Sequence, residues 1–204
     1  MRGTYPTDTL AAVLAIAAAL AALTSFFVVA VLHVLPTGLS PLRNAVSEYG
    51  ISRFRDLYRL QAATMGVAGL ALAGAVARAV DPAPSRVLVL LVVYGCARIA
   101  IGWFPMDPIG TLERTPAGRM HRLLAAVAFV ALPIAAVRLA QSLPHDGSHR
   151  PLVVLAWISV GCAVALAPTL AFARRVFGFA ERVFYLACYA YVLAAAIELV
   201  RLTS

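Results

Sequence analysis

Long apolar runs separated by short polar segments form the main pattern of this chain. The runs cover about residues 9–35, 57–80, 86–104, 117–140, 152–173 and 183–200. Each has about 18 residues or more, which is enough for an α-helix to cross roughly 30 Å of hydrocarbon. The pattern predicts an all-α fold, a polytopic transmembrane bundle of six helices that forms a single integral membrane domain over residues 1–204.

The longest polar stretch, residues 36–58, follows the first apolar run. Pro41 suits the first turn of a helix with Ser40 as its N-cap, and Gly50 suits a left-handed helix end. We therefore expect a short interfacial helix from about Pro41 to Tyr49. The first run is far longer than the 7–15 apolar residues of a signal peptide, so we interpret it as a transmembrane helix.

Composition agrees with a membrane protein, because 62% of the residues are hydrophobic and only 13% are charged. Soluble domains are nearer half apolar and a quarter charged. The net charge of +8 comes entirely from arginine, and these residues lie in short loops between apolar runs. A nucleic-acid-binding protein would instead cluster them on one solvated face. We expect membrane lipids as partners, and no nucleic acid.

Six crossings place the loops after runs one, three and five on one side of the membrane and both termini on the other. The odd-loop side has ten arginines: Arg43, Arg53, Arg55, Arg59, Arg114, Arg119, Arg122, Arg174, Arg175 and Arg182. The terminal side has six, which are Arg2, Arg78, Arg86, Arg138, Arg150 and Arg201. The positive-inside rule then favours a cell-membrane protein with its odd-numbered loops in the cytoplasm.

The same parity gathers most of the candidate chemistry on the odd-loop side. An acid, Asp107, can orient the imidazole of His121, which can then act as a base on water or on the Ser47 hydroxyl. We predict catalytic roles for these three residues. Alternatively, Asp107 caps a turn and His121 lies at the level of the lipid headgroups, so the sequence leaves open whether the protein is an enzyme.

The other candidates on this side are assigned to ligand binding: His33, Glu48, Glu181 and Arg182, together with Arg98. His33, Glu48, Asp107 and His121 are suitable metal ligands in principle. No two of them have the i, i+4 spacing of a helical metal motif, and the three cysteines have neither disulfide nor metal-ligand spacing. We predict no metal, and the sequence indicates no particular cofactor.

Arg98 is unusual because it lies inside the third apolar run, six residues before Phe104 and about 9 Å deep at 1.5 Å per residue. A guanidinium at that depth needs a carboxylate, carbonyl or phosphate partner. The candidates at a similar depth are the regions of His33 and Gln61, the side chains of Tyr185 and Tyr189, and the loop that contains Glu48. The alternative is that Arg98 snorkels to the headgroups.

Three short segments, in this order, resemble one prokaryotic family. They are residues 44–50 (NAVSEYG), residues 104–107 (FPMD) followed by residues 118–121 (GRMH), and residues 178–182 (GFAER). The family is domain of unknown function 998, whose members are six-helix membrane proteins similar in layout to the Frag1/DRAM/Sfk1 group. The resemblance implies no established activity. It implies that the family's marked positions are Ser47, Glu48, Asp107, His121, Glu181 and Arg182.

Three functions remain open at this point. The first is a lipid-active membrane enzyme with Asp107 and His121 at the headgroup level. The second is a protein that binds or transports a lipid or other amphiphile, with Arg98 and Arg182 as anion partners. The third is a structural scaffold whose polar residues only join the helix ends. The absence of an internal repeat weighs against transport.

Overall fold

The computed structural model describes residues 8–108, 114–143 and 149–203, and these residues form six long α-helices and no strand. The helices are α1 (Thr9–Val34), α2 (Arg55–Ala79), α3 (Ser85–Ile101), α4 (Pro116–Ser142), α5 (Arg150–Phe172) and α6 (Phe177–Leu202). Two 3₁₀ helices cover Val46–Ile51 and Arg174–Val176. The all-α prediction, with a short helix after the first long one, is confirmed.

Five of the helical segments are long and apolar enough to cross a membrane, and they contain α1, α2, α4, α5 and α6. The third long helix, α3, has 17 residues, close to the lower limit for a crossing. It runs antiparallel to α2, because Arg59 at the start of α2 donates from Nε to the Gly102 carbonyl just after α3, at 3.1 Å. The chain is therefore a multi-pass membrane protein.

The helices pack as a closed ring in which each one contacts the next along the chain and α6 returns to α1. Small residues permit close approach between α2 and α3: a Cβ on Gly66 would lie 2.6 Å from the Gly95 carbonyl oxygen. In lipid, where apolar burial does not drive helices together, such close packing is a main source of association. Helix α5 is the least enclosed, and its Val154, Trp157 and Val164 are exposed.

The 41–51 segment differs in detail from its prediction. Its helix begins at Val46 rather than at Pro41, and it is a 3₁₀ helix. Gly50 is not left-handed; among the described glycines only Gly38 has a positive φ, of 73°. The physical reason at Gly50 is packing, since a Cβ there would lie 2.7 Å from the Tyr58 ring.

The start of α6 was placed too late by the sequence. We expected a loop over residues 174–182 and a helix from Val183, but α6 begins at Phe177. Glu181 and Arg182 therefore lie within the helix and not before it. The helix begins six residues earlier than expected, and Gly178 in its first turn packs directly against the carbonyls of Pro41 and Asn44. The sequence of the 174–182 stretch gives no sign of this contact.

Candidate functional site at one end of the bundle

One end of the bundle holds most of the polar side chains that the sequence singled out, and we call it the polar end. Here α1, α3 and α5 finish, α2, α4 and α6 begin, and the 41–51 segment crosses between them. All eight predicted site residues lie at this end or one to two turns inside it. The polar end has three parts, described in turn: the docked 41–51 segment, the α3–α4 connection and a buried network around Arg98.

The 41–51 segment is docked on the first turns of α6. The Phe179 N–H donates to the Leu42 carbonyl at 3.0 Å, and the Val46 N–H donates to Glu181 Oε2 at 2.7 Å. Gly178 has no room for a Cβ, because the Pro41 carbonyl oxygen would lie 2.7 Å from it and the Asn44 carbonyl closer still. The NAVSEYG and GFAER segments, far apart in sequence, are thus in direct contact.

Glu48 stabilises the shape of the docked segment from within. Its Oε1 accepts the Ala45 N–H at 2.7 Å, and its Oε2 accepts from Asn44 Nδ2 at 2.8 Å. The Asn44 Oδ1 in turn accepts the Ser40 N–H at 2.8 Å. This arrangement satisfies the Ala45 N–H just before the 3₁₀ helix, so the buried Glu48 carboxylate acts on its own chain segment.

Arg182 joins α6 to α1 and to the docked segment through neutral acceptors. Its Nε donates to His33 Nε2 at 2.7 Å, and its Nη1 donates to the carbonyls of Asn44 and Gly178, both at 2.8 Å. Its Nη2 lies 3.4 Å from the Tyr49 hydroxyl. No carboxylate of the described residues forms an ion pair with this guanidinium, so all of its hydrogen-bond acceptors are neutral.

Asp107 organises the connection between α3 and α4. Its Oδ1 accepts from Thr115, at 2.6 Å from Oγ1 and 3.2 Å from the backbone nitrogen, and its Oδ2 accepts from Arg122 Nη1 at 2.9 Å. The bond from the Thr115 hydroxyl, and then that from Arg122, hold the pKa of the Asp107 carboxyl below its ordinary value. Gly118 leaves the space that this carboxylate occupies.

His121 is buried beside this connection, but its partner is a backbone group. Its Nδ1 lies 2.7 Å from the Phe104 carbonyl oxygen, and the side chain is almost wholly enclosed. A carbonyl can only accept, so Nδ1 carries the proton and Nε2 is left as an acceptor in the neutral ring. The imidazole orientation that we assigned to Asp107 is supplied by Phe104.

Ser47 connects the docked segment to the α3–α4 connection. Its hydroxyl donates to Met106 Sδ at 3.3 Å. Among the described residues, no hydrogen bond joins Ser47 to His121 or Asp107 to His121. The structure therefore brings the three predicted catalytic residues to the same end of the bundle without linking them as a relay, and their catalytic assignment stays a prediction.

The buried network around Arg98 lies deeper in the bundle. Its Nη1 donates to the Tyr185 hydroxyl and its Nη2 to Gln61 Oε1, both at 3.1 Å, and its Nε is buried with no hydrogen-bond partner among the described residues. Gln61 Nε2 continues the network to Ser25 and Tyr189, both at 3.2 Å. Arg98 is 2% exposed and points inward, so it does not snorkel to the headgroups.

The sequence named three members of this network and missed the fourth, Ser25, while its other two candidates, His33 and Glu48, form no hydrogen bond with Arg98 among the described residues. Gln61, Tyr185 and Tyr189 were found by depth along their helices. Ser25 lies within an apolar run of α1, where a single small hydroxyl gives no pattern; its only signal is the helical spacing that puts it on the buried face with Ala18 and Ala22. In the described residues, no three His, Cys, Asp or Glu side chains are grouped as a metal site would require.

The opposite end has a smaller set of polar contacts. Glu198 Oε1 lies 3.0 Å from His149 Nδ1, and Glu198 Oε2 lies 3.6 Å from Arg201 Nη1. Glu198 is therefore paired with both residues, and His149 is the closer partner. His145 and Asp146, which lie between the fourth and fifth apolar runs of the sequence, are outside the described residues.

Comparison with known proteins places the chain at the family level only. The family model described as "Protein of unknown function (DUF998)" matches residues 9–198, which is nearly the whole chain. No curated protein and no solved structure matches. The similarity in layout to the Frag1/DRAM/Sfk1 group therefore stays a prediction.

Proposed function

Because the chain belongs to the DUF998 family of proteins of unknown function, we propose a function from its own geometry: it binds the headgroup of an anionic amphiphile at the polar end. The observation that carries this proposal is that the acidic and the basic side chains of the polar end differ in whether they have partners. The described carboxylates at the polar end are occupied by partners within the chain, whereas several of its arginines face outward without one.

The carboxylates are occupied in different ways. Glu48 and Glu181 are buried and accept backbone N–H groups, and Asp107 accepts from Thr115 and Arg122. The exposed Asp56 lies 2.9 Å from Arg59. None of these acids is therefore left to repel an anion that approaches from the headgroup layer.

The unpaired arginines provide the complementary surface. The side chains of Arg43, Arg119, Arg174 and Arg175 are exposed and form no ion pair with any described carboxylate. The corner between α5 and α6 adds a depression of about 480 Å³ lined by residues 171–176. Phe172, one of these lining residues, is 90% exposed. Arginine suits phosphate and carboxylate oxygens, and an exposed aromatic ring suits the adjoining acyl region.

The enzyme alternative has one observation in its favour. The Phe104 carbonyl fixes the His121 tautomer with Nε2 as the acceptor, which is the form that a general base requires. A nucleophile bonded to that nitrogen is missing among the described residues, because the Ser47 hydroxyl is directed to Met106. Binding is therefore the better-supported function, and turnover of the bound amphiphile is the second candidate.

Thermal unfolding in mixed micelles tests the binding proposal. We expect phosphatidylglycerol to raise the midpoint of unfolding more than phosphatidylcholine does, and the R174Q/R175Q variant to lose at least half of that difference. The matched control is R86Q/R138Q, which removes the same charge from exposed positions at the opposite end and should keep the wild-type difference. Equal stabilisation by both lipids, or an equal loss in both variants, would contradict the proposal.

We also propose that the polar end faces the cytoplasm of a cell membrane. The ten arginines on the odd-loop side against six on the terminal side support this orientation. Single cysteines introduced at Arg119 and at Arg86, in a cysteine-free background, provide the test in whole cells. A membrane-impermeant maleimide should label only the position at Arg86, and the reverse pattern would refute the orientation.

A further inference from the structure

The contact between His33 and Arg182 exists in only one protonation state of the histidine. An arginine has five N–H donors and no acceptor, so the 2.7 Å bond from its Nε requires an unshared electron pair on His33 Nε2. A doubly protonated imidazole has a proton on both nitrogens and offers no such pair. Protonation of His33 therefore replaces a hydrogen bond by two cations that face each other at the same distance.

We propose that this contact is a proton-sensitive latch, in which protonation of His33 displaces Arg182 and loosens the docked 41–51 segment. Arg182 is the residue through which the change spreads, because its Nη1 also holds the Asn44 carbonyl and its ring contact and Nη2 reach Tyr49. Asn44 lies just before the 3₁₀ helix and Tyr49 lies within it. The inference is independent of the proposed function, since it needs no bound ligand.

The charged and aromatic groups around His33 determine whether its protonated form is tolerated. Arg182 faces it from α6, and the Tyr49 ring faces it from the 3₁₀ helix with ring centres 6.1 Å apart. Arg53 approaches the same corner through its bond to the Pro36 carbonyl at 2.9 Å. The neighbouring acids Glu48 and Glu181 are bonded to backbone N–H groups and form no ion pair with His33.

Two effects on the imidazolium oppose each other here. His33 lies in the last turn of α1, where the helix dipole favours a cation. That effect is spread over a helix end near the headgroups, whereas the Arg182 guanidinium is in direct contact. Direct contact between like charges prevails, so protonation moves Arg182 away. His33 is only half-buried at the membrane edge, so protons from the aqueous phase reach it.

Loosening the segment changes what the polar end exposes. The ties that remain, from Val46 to Glu181 and from Phe179 to Leu42, do not involve His33 or Arg182. The expected result is a segment that stays attached but opens more often. Ser47, which the segment holds against Met106, would then become accessible from the headgroup layer.

Hydrogen–deuterium exchange on the full chain in nanodiscs tests the latch. We compare peptides that cover residues 44–51 at pH 7.5 and pH 4.5, after correction for the intrinsic effect of pH on amide exchange. The wild type is expected to exchange these amides at least threefold faster at pH 4.5, a pH low enough to protonate a histidine that faces a guanidinium. The H33Q variant, which keeps an acceptor and does not titrate, should show no difference between the two conditions.

The H121Q variant is the matched control, because His121 donates rather than accepts and its protonation leaves the bond to Phe104 intact. It should keep the wild-type response. A wild type whose corrected exchange is the same at both pH values would refute the latch without any variant. A response in H33Q equal to that of the wild type would refute it as well.

Discussion

The two ends of the bundle are built differently. At the polar end, charged side chains are buried and donate to or accept from the backbone of distant segments, as Glu181 does with Val46 and Arg182 with Asn44. At the opposite end, the Arg78–Asp8 pair at 2.9 Å is partly exposed, and Asp8 accepts a backbone N–H only from its own helix, at Ala11. The first arrangement holds a distant chain segment in place, whereas the second only joins or caps helix ends.

This difference supports our proposal that the polar end has a role beyond folding. Buried charges in a membrane protein are costly and require complete sets of partners, whereas exposed pairs contribute little to stability. At the polar end, Arg98 and Arg182 are held by neutral acceptors although two buried carboxylates, Glu48 and Glu181, are present. Direct ion pairs would be the simpler structural solution.

The largest expected effect concerns Arg98. Replacement by Ala should lower the free energy of unfolding by about 3 kcal/mol, because it leaves a cavity and removes the donors of Gln61 and Tyr185. Replacement by Met should cost about half as much, since it refills much of the space but leaves the same two acceptors without their donor. Denaturant unfolding in detergent measures both. A Met variant as unstable as the Ala variant would mean that the charge and its hydrogen bonds, and not the filled volume, stabilise the bundle.

The next effect concerns the docking of the 41–51 segment. Gly178→Ala should cost about 2 kcal/mol, because the new Cβ would meet the backbone carbonyls of Pro41 and Asn44, which cannot both withdraw. The matched control is Gly161→Ala on α5, where nothing lies within 4 Å of the added Cβ. It should be neutral or slightly stabilising, because Ala favours helix. Equal midpoints of thermal unfolding for the two variants would contradict the docked arrangement.

A smaller effect is expected at Glu181. The Ala variant leaves the buried Val46 N–H without an acceptor and should lose about 1–2 kcal/mol. The Gln variant keeps an acceptor oxygen and should lose less than half as much. If both variants lose the same amount, the carboxylate contributes by its charge and not by accepting this bond.

The smallest effect is a dependence on pH that compares the two ends. The pKa values of Asp107 and Asp8 both lie below the ordinary value, so each carboxylate stabilises the fold above the unfolded pKa of about 4, and the contribution disappears as the pH falls through the lower folded pKa. D107N should remove more of the acid sensitivity of the unfolding midpoint than D8N does. Asp107 is buried and fixes the connection between α3 and α4, whereas Asp8 forms a partly exposed ion pair. The opposite ranking would contradict the contrast between the ends.

The sequence predicted the helices of this molecule well and the hydrogen-bond partners of its polar side chains poorly. Six apolar runs gave six helices, and parity alone brought Asp107, His121 and Glu181 to one end. The partners escaped prediction because many are backbone groups, such as the Phe104 carbonyl of His121 and the Val46 N–H of Glu181, and a backbone group has no letter in the sequence. The late start assigned to α6 has the same cause, since the stretch around Gly178 reads as a loop until its packing is known.

The most direct measurement of the central claim is photo-crosslinking with an anionic phospholipid that carries a diazirine in its headgroup, followed by mass spectrometry of the labelled peptides. The account predicts labels concentrated at the polar end, in residues 41–55 and 171–182, with few in residues 78–90 and 134–143 at the opposite end. Labels divided equally between the two ends, or concentrated at the opposite end, would contradict it.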